Sequence, residues 1–271
     1  MKCLFSVSGW LTLASAAKHH LFVGTFSGPY LYALEFDDAT FALTLIANIS
    51  ASSAHSWIAL SHNNRALYGS AIVSDAWYSY TINNSSSLTP SSAVKLIGNC
   101  SAPLPPAPPR EPGTPASGIN VSQVSGMFIL GASTPPYNVY GTASSCGNAI
   151  TADPATGTLL AVTYNLTYSS ATYGISAMGM HGMAISFDGR FYYSADARAN
   201  SLWTYAVHKT TGELDLVDVI AGPVDRSNPR HVAVHSKGGY LYVVLEAANA
   251  LRSIRWMQRR GSQVGQGSFI R

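Results

Sequence analysis

Residues 182–193, 231–242 and, more weakly, 57–68 are written on one pattern. Each opens with alternating apolar residues, passes through a polar turn and closes on a tyrosine, Tyr193, Tyr242 or Tyr68. The offset from the opening residue (Gly182, His231 or Trp57) to that tyrosine is the same in all three. A supersecondary unit that recurs in this way needs stacked neighbours to bury its apolar faces. The repeat therefore constrains the architecture before any single residue is considered.

The unit is a meander. Met183, Ile185 and Phe187 alternate with small or polar residues, the period of a strand with two different faces. Asp188-Gly189 is a turn signal, because Gly accepts positive φ and Asp bonds its own backbone. Phe191, Tyr192 and Tyr193 make a second strand. Leu202, Trp203, Tyr205 and Val207 make a third, after a polar turn over 196–200. Leu214, Leu216, Val217, Val219 and Ile220 make a fourth, after Thr210-Thr211-Gly212-Glu213. Four antiparallel strands in about 50 residues form the blade of a β-propeller, and the step from Gly182 to His231 is 49 residues. The predicted fold class is all-β, a β-propeller; a sandwich with coincidental hairpins is the alternative.

Composition agrees. A chain of 271 residues, 47% hydrophobic and 11% charged, has ample material for a core. Its 23 Gly, 14 Pro and 15 Tyr suit short strands and tight turns. No apolar run reaches the length of a membrane span. The formal charge of +3 misleads, since Arg252, Arg255, Arg259, Arg260 and Arg271 crowd the end and Lys2 lies at the start. Without them 10 basic residues face 13 acidic ones. A nucleic-acid footprint needs cations spread over a folded face, so that partner class is excluded.

Residues 1–17 read as a secretory leader: Lys2, an apolar run to Leu13, then Ala14-Ser15-Ala16-Ala17 for cleavage. Sequons at Asn48, Asn83, Asn84, Asn99, Asn120 and Asn165 are candidate N-glycosylation sites and favour a secreted glycoprotein. With Cys3 in the leader, Cys100 and Cys146 remain. Paired, they close a loop of about 45 residues, valued at roughly 3–4 kcal/mol by loop entropy; two free thiols are the alternative.

The partial propeller is expected over 18–250. Residues 99–126 turn to Pro, Ser and Gly and read as a surface insertion, because Pro cannot donate within a sheet. One blade between this insertion and Gly182 fills the gap between repeats. It includes Met127-Phe128-Ile129-Leu130, the Pro135-Pro136-Tyr137 bend and the turn Asp153-Pro154-Ala155-Thr156-Gly157. Residues 251–271 look like a non-repeat basic tail, and the expectation is four to five blades with a truncated or misassembled end.

Several short segments carry a family likeness. They are His19-His20-Leu21-Phe22-Val23-Gly24-Thr25, Ser56-Trp57, Pro135-Pro136-Tyr137-Asn138-Val139-Tyr140, Gly179-Met180-His181-Gly182-Met183, Tyr193-Ser194-Ala195-Asp196, Asn228-Pro229-Arg230 and Leu245-Glu246-Ala247-Ala248-Asn249. In these the sequence resembles the fungal carboxy-cis,cis-muconate cyclases, seven-bladed propellers of the lactonase-like superfamily. The resemblance implies an active site in the central channel, with His181, Arg230 and Glu246 as its catalytic residues.

Those residue types suit the chemistry. Cyclisation adds a carboxylate oxygen across an activated double bond, so Arg230 would clamp a carboxylate. Arg or protonated His would also stabilise the growing negative charge. His181 would be the general acid that delivers a proton to carbon, and Glu246 would orient it or relay the proton. With water as nucleophile, His181 as base and Arg230 at the oxyanion would open a lactone instead.

The expected function is a cofactor-independent isomerase that lactonises 3-carboxy-cis,cis-muconate. A secreted, aldonolactonase-like lactone hydrolase and a non-catalytic secreted glycoprotein are the alternatives. The partner is a small anionic or lactone substrate. No cofactor is expected, and no metal: His231 and His235 share a face, but two His fall short of the three or four protein ligands of a zinc site. A Gly-x-Ser-x-Gly elbow, His-Glu-x-x-His, Cys-x-x-Cys and a phosphate loop are all missing from the sequence.

Overall fold

The computed structural model describes residues 17–71, 74–97, 128–143, 146–170, 175–176, 179–258 and 265–269. Every regular element among them is a strand. The first sheet holds β1 (Lys18–Val23), β2 (Tyr30–Asp37) and β3 (Ala42–Ser50). The second holds β4 (Trp57–Leu60), β5 (Ala66–Ser70), β6 (Ala76–Asn84) and β7 (Ser87–Lys95). The third holds β8 (Phe128–Gly131), β9 (Val139–Ala143), β10 (Cys146–Ala152) and β11 (Leu159–Thr167). A two-stranded pair, β12 (Ser169–Ser170) and β13 (Ile175–Ser176), leads into the fourth sheet. That sheet holds β14 (Met180–Ile185), β15 (Phe191–Asp196), β16 (Ser201–Val207) and β17 (Leu214–Ala221). The fifth holds β18 (Pro229–Val234), β19 (Tyr240–Leu245), β20 (Ala250–Gln258) and β21 (Gly265–Phe269). All five are antiparallel meanders, the blade form read from the repeat.

The blades stack face to face. Leu31 of the first packs with Leu67, Tyr80 and Leu88 of the second. Tyr68 and Trp77 of the second meet Ile129, Val139 and Ile150 of the third. Tyr140 and Ala149 of the third meet Tyr192, Trp203 and Tyr205 of the fourth. Phe191, Tyr193 and Leu202 of the fourth meet Leu241, Val243 and Ile254 of the fifth. Each of the four apolar clusters thus seals one junction between consecutive blades. A central blade must be apolar on both faces, which is why β15 is buried at every residue. Its side chains alternate, with Tyr192 facing the third blade and Phe191 and Tyr193 facing the fifth.

The predicted turns fall where the glycines permit them. Gly189 and Gly212 adopt φ of 70° and 71°, the left-handed region that other residues enter at a cost.

The end of the chain differs from the expectation of a non-repeat tail over 251–271. Residues 250–258 and 265–269 are the third and fourth strands of the fifth blade. The basic residues hid this strand. Ile254 is fully buried against the fourth blade, while Leu251, Arg252 and Arg255 are exposed and need no apolar alternation. Residues 1–16 of the expected leader and the Pro-rich stretch 99–126 lie outside the described residues.

Cys146 is disulfide-bonded; its expected partner Cys100 lies outside the described residues, as do Asn99 and Asn120. Asn48, Asn83, Asn84 and Asn165 are all exposed, as glycan acceptors require.

Gly182 marks a close approach between the fourth and fifth blades. A Cβ added there would lie 2.7 Å from the Arg230 carbonyl oxygen and 2.8 Å from the His231 Cα. Both are backbone atoms, so β14 and β18 can adjoin only because residue 182 has no side chain. Gly182→Ala is expected to destabilise the protein by about 1–3 kcal/mol, the usual cost of overpacking. A denaturant-unfolding midpoint equal to that of the parent would contradict this.

Candidate active site

The first strands of the second to fifth blades, β4, β8, β14 and β18, bring Trp57, Phe128, His181, Arg230 and His231 together. The His181 ring lies 4.1 Å from that of Phe128 and 4.9 Å from that of His231, perpendicular to the latter. His231 stacks on Trp57 at 5.5 Å, with 13° between the planes. Trp57 in turn meets Phe128 edge-on at 4.8 Å. Four rings from four blades, the His181 imidazole among them, therefore form one aromatic cluster.

Backbone irregularity aims the polar members of this cluster. β14 pairs with β15 in one register at Met180 and, shifted by one residue, in another from Met183. β18 repeats the shift between Pro229 and His231. His181 and Arg230 thus sit at the same irregularity in adjacent blades, 49 residues apart like the repeat itself. A bulge of this kind turns a side chain out of the regular alternation, and such bulges recur beside active sites.

Arg230 is held by Glu246, from the turn between β19 and β20. Its Nη1 donates to Glu246 Oε1 at 2.5 Å and to Oε2 at 2.6 Å. The pair remains partly open to water, with side chains 38% and 49% exposed. Glu246 is fixed by its own backbone: its N–H donates to the Asn228 carbonyl, and its carbonyl accepts from Asn249. Asn249, at φ 47°, completes that turn.

Burial and the neighbouring charge disfavour the charged form of both imidazoles. Burial, then the Arg230 charge, then His231 push the His181 pKa down to about 3. Burial and Arg230 also lower His231, with Glu246 opposing. The Nδ1 atom of His181 is buried without a hydrogen-bond partner. At neutral pH His181 is therefore a proton acceptor. The expectation of a charged general acid meets a site that disfavours the imidazolium. Glu246, expected to orient His181, pairs with Arg230 instead.

Sequence reasoning brought out His181, Arg230 and Glu246 but gave Phe128 and Trp57 no role at the site. A signal for Trp57 was present, since Trp57, Gly182 and His231 share one position of the repeat. His231, weighed only as a metal ligand, is an aromatic neighbour; His235 lies instead beside Tyr240 and Tyr242. Among the described residues no group of three or more His, Cys, Asp or Glu is arranged to hold a metal ion.

Stacked four-stranded meanders with polar groups gathered at the first strands define a β-propeller with a candidate site in its channel. Residues 144–263 match the model of the family "Lactonase, 7-bladed beta-propeller". The chain is 30% identical over 240 residues to the carboxy-cis,cis-muconate cyclase of Neurospora crassa, covering 86% of this chain and 59% of that relative. The chain spans less than two thirds of the length of that curated relative. Among solved structures, a candidate 6-phosphogluconolactonase from Bacteroides uniformis superposes with a TM-score of 0.68 at 15% identity, over 94% of this chain and 67% of that one. A second, from Bacteroides fragilis, gives 0.68 at 14%, over 96% and 68%. At such identities these two likenesses speak for the fold alone.

Proposed function

We propose that this chain forms or opens a lactone on a small carboxylate substrate in the channel, with His181 carrying the proton and Arg230 holding the carboxylate. The observation that carries this reading is the placement of His181 and Arg230 at equivalent bulges of adjacent blades, within one aromatic cluster. The finer reading is lactonisation of 3-carboxy-cis,cis-muconate, supported by the 30% identity with the Neurospora cyclase. One carboxylate oxygen bonds to the alkene carbon, and the π electrons move onto the conjugated carboxylate. The neighbouring carbon then takes the proton from His181. Arg230 stabilises the transient negative charge. Atoms balance without any cofactor, because the product is an isomer of the substrate.

A second reading, hydrolysis of a lactone, is favoured by the low pKa of His181. A neutral imidazole takes a proton from water as that water attacks the lactone carbonyl, and Arg230 faces the oxyanion. The third option, a non-catalytic glycoprotein, makes no use of the paired bulges.

The two reactions have opposite pH signatures. Cyclisation consumes protonated His181, so kcat/KM should fall about tenfold for each pH unit above the pKa of that group. Hydrolysis consumes neutral His181, so kcat/KM should stay level from pH 8 down to about 5 and drop only as pH nears the His181 pKa of about 3. Loss of the muconate ultraviolet absorbance and release of acid from glucono-δ-lactone, each followed across that range, separate them. If neither compound is turned over at any pH, the catalytic reading fails.

A further inference from the structure

The turn after the first strand of a blade is built alike in the second and fourth blades. Ser61 Oγ donates to Asn63 Oδ1 and accepts from the Arg65 and Ala66 N–H groups. Ser186 Oγ donates to Asp188 Oδ1 and accepts from the Phe191 N–H, and Asp188 Oδ1 accepts from the Arg190 N–H. In both, the residue two after the serine is an acceptor that folds back onto its own turn. The fifth blade departs from this. The 49-residue step puts His235 in place of the serine, Lys237 in place of the acceptor and Gly239 in place of the arginine. An ammonium has only donors and cannot close the turn. His235 Nδ1 does so, accepting from the Lys237 N–H at 3.2 Å. The Lys237 side chain is released from the turn and stands exposed.

It stands on the wall of a cavity of about 590 Å³ between the fourth and fifth blades, within the size range of small-molecule sites. The cavity lies at the ends of β14 and β18 remote from His181 and Arg230. Phe187, Phe191, Tyr193 and Tyr240 supply aromatic walls, and Phe187 is 76% exposed. A Cβ built on Gly238 or Gly239 would meet nothing within 4 Å, so the backbone there is open to approach. Arg190 and Asp188 also line the space, but Arg190 Nε donates to Asp188 Oδ2 at 2.7 Å and the two charges offset each other. The charged lining residues therefore sum to one positive charge, that of Lys237.

We propose that this cavity is a second ligand site, distinct from the channel, which takes a small anion with a flat apolar body, the chemistry of an aromatic carboxylate. The ring lies against the aromatic walls and the carboxylate meets Lys237. The proposal is independent of the reaction assigned to His181.

The test uses 2-naphthoate and its neutral isostere 2-naphthamide, with binding followed by calorimetry and by the naphthalene fluorescence. In the parent protein 2-naphthoate should bind more tightly than the amide. Lys237→Gln should weaken 2-naphthoate roughly threefold to fivefold, the upper range for an exposed ion pair, and leave the amide within about twofold. Phe187→Ala, which removes apolar wall and no charge, should weaken both probes by a similar factor, in the range of about twofold to tenfold for one aromatic contact. A carboxylate can also meet Arg230 in the channel, so the comparison is repeated in an Arg230→Gln background, where the Lys237 effect should persist. The proposal is overturned if neither probe binds, if Lys237→Gln changes both probes equally or neither, or if its effect disappears in the Arg230→Gln background.

Discussion

His181→Ala is expected to lower kcat/KM by roughly 10²–10⁴ on whichever of the two substrates the parent turns over, the usual contribution of a positioned proton-transfer group. The imidazole packs against the rings of Phe128 and His231, and its buried Nδ1 has no hydrogen-bond partner. A guanidinium is a poor proton carrier, and Glu246 is occupied with Arg230. Truncating His181 costs no hydrogen bond at Nδ1, so its cost to stability is confined to the ring contacts with Phe128 and His231. The loss should appear in kcat beyond any shift of the unfolding midpoint. His181→Asn, which keeps a polar atom but cannot cycle a proton, should be as inactive as the alanine variant. Activity within tenfold of the parent in both variants would remove His181 from the mechanism and leave the aromatic cluster as a binding surface only.

The architecture was legible because its information is local. Alternation marks the faces of a strand, Asp188-Gly189 and Thr211-Gly212 mark the turns, and the constant offset to Tyr68, Tyr193 and Tyr242 marks the repeat. The link between His181 and Arg230 was legible for the same reason, since the 49-residue step that relates the blades also relates the two side chains. Three things were not. The pairing of Glu246 with Arg230 depends on how the turn after β19 curls back over Asn228, and no periodicity encodes that. The contact of Trp57 with His231 joins the second blade to the fifth across the channel. Such a contact exists only once the blades stack. The strand β20, with Arg252 and Arg255 among its residues, did not read as sheet. Over residues 250–255 of this outer strand Ile254 alone is buried, and the apolar alternation that identifies inner strands is not required.

The neutral state of His181 was illegible for a related reason. An isolated histidine reads as a group poised near neutrality. Here the Phe128 ring, the burial imposed by four converging strands and the Arg230 charge all disfavour the imidazolium. None of these neighbours adjoins His181 in sequence. The repeat predicts where the residue sits, and the stacking of blades decides its charge. This is why the sequence leaves cyclisation and hydrolysis open, whereas the pH profile separates them.

Trp77→Ala is expected to destabilise the protein by about 3–5 kcal/mol, the range for a large aromatic removed from a packed interior. Trp77 is fully buried at the junction of the second and third blades, among Tyr68, Ile129, Val139 and Ile150. The third blade is shaped to receive it: a Cβ on Gly141 would lie 2.5 Å from the indole, so that glycine opens the space the ring fills. The indole Nε1 donates to Asn148 Oδ1 at 3.1 Å, and the Asn148 amide donates in turn to Asn165 Oδ1 at 2.9 Å and to the Ile97 carbonyl. Alanine would leave both a cavity and a buried acceptor without its donor, and the second loss adds about 1–3 kcal/mol where water cannot enter. Trp77→Phe separates the two terms, since it keeps most of the packing and loses only the donor. Its unfolding midpoint should lie between those of the parent and the alanine variant. Because β4 and β8 belong to these two blades, loosening the junction should also spread Trp57 from Phe128 and weaken the cluster around His181. A Trp77→Ala protein that unfolds within 1 kcal/mol of the parent would show that the blade junction does not hold the fold, and the stacking that assembles the channel would need another source.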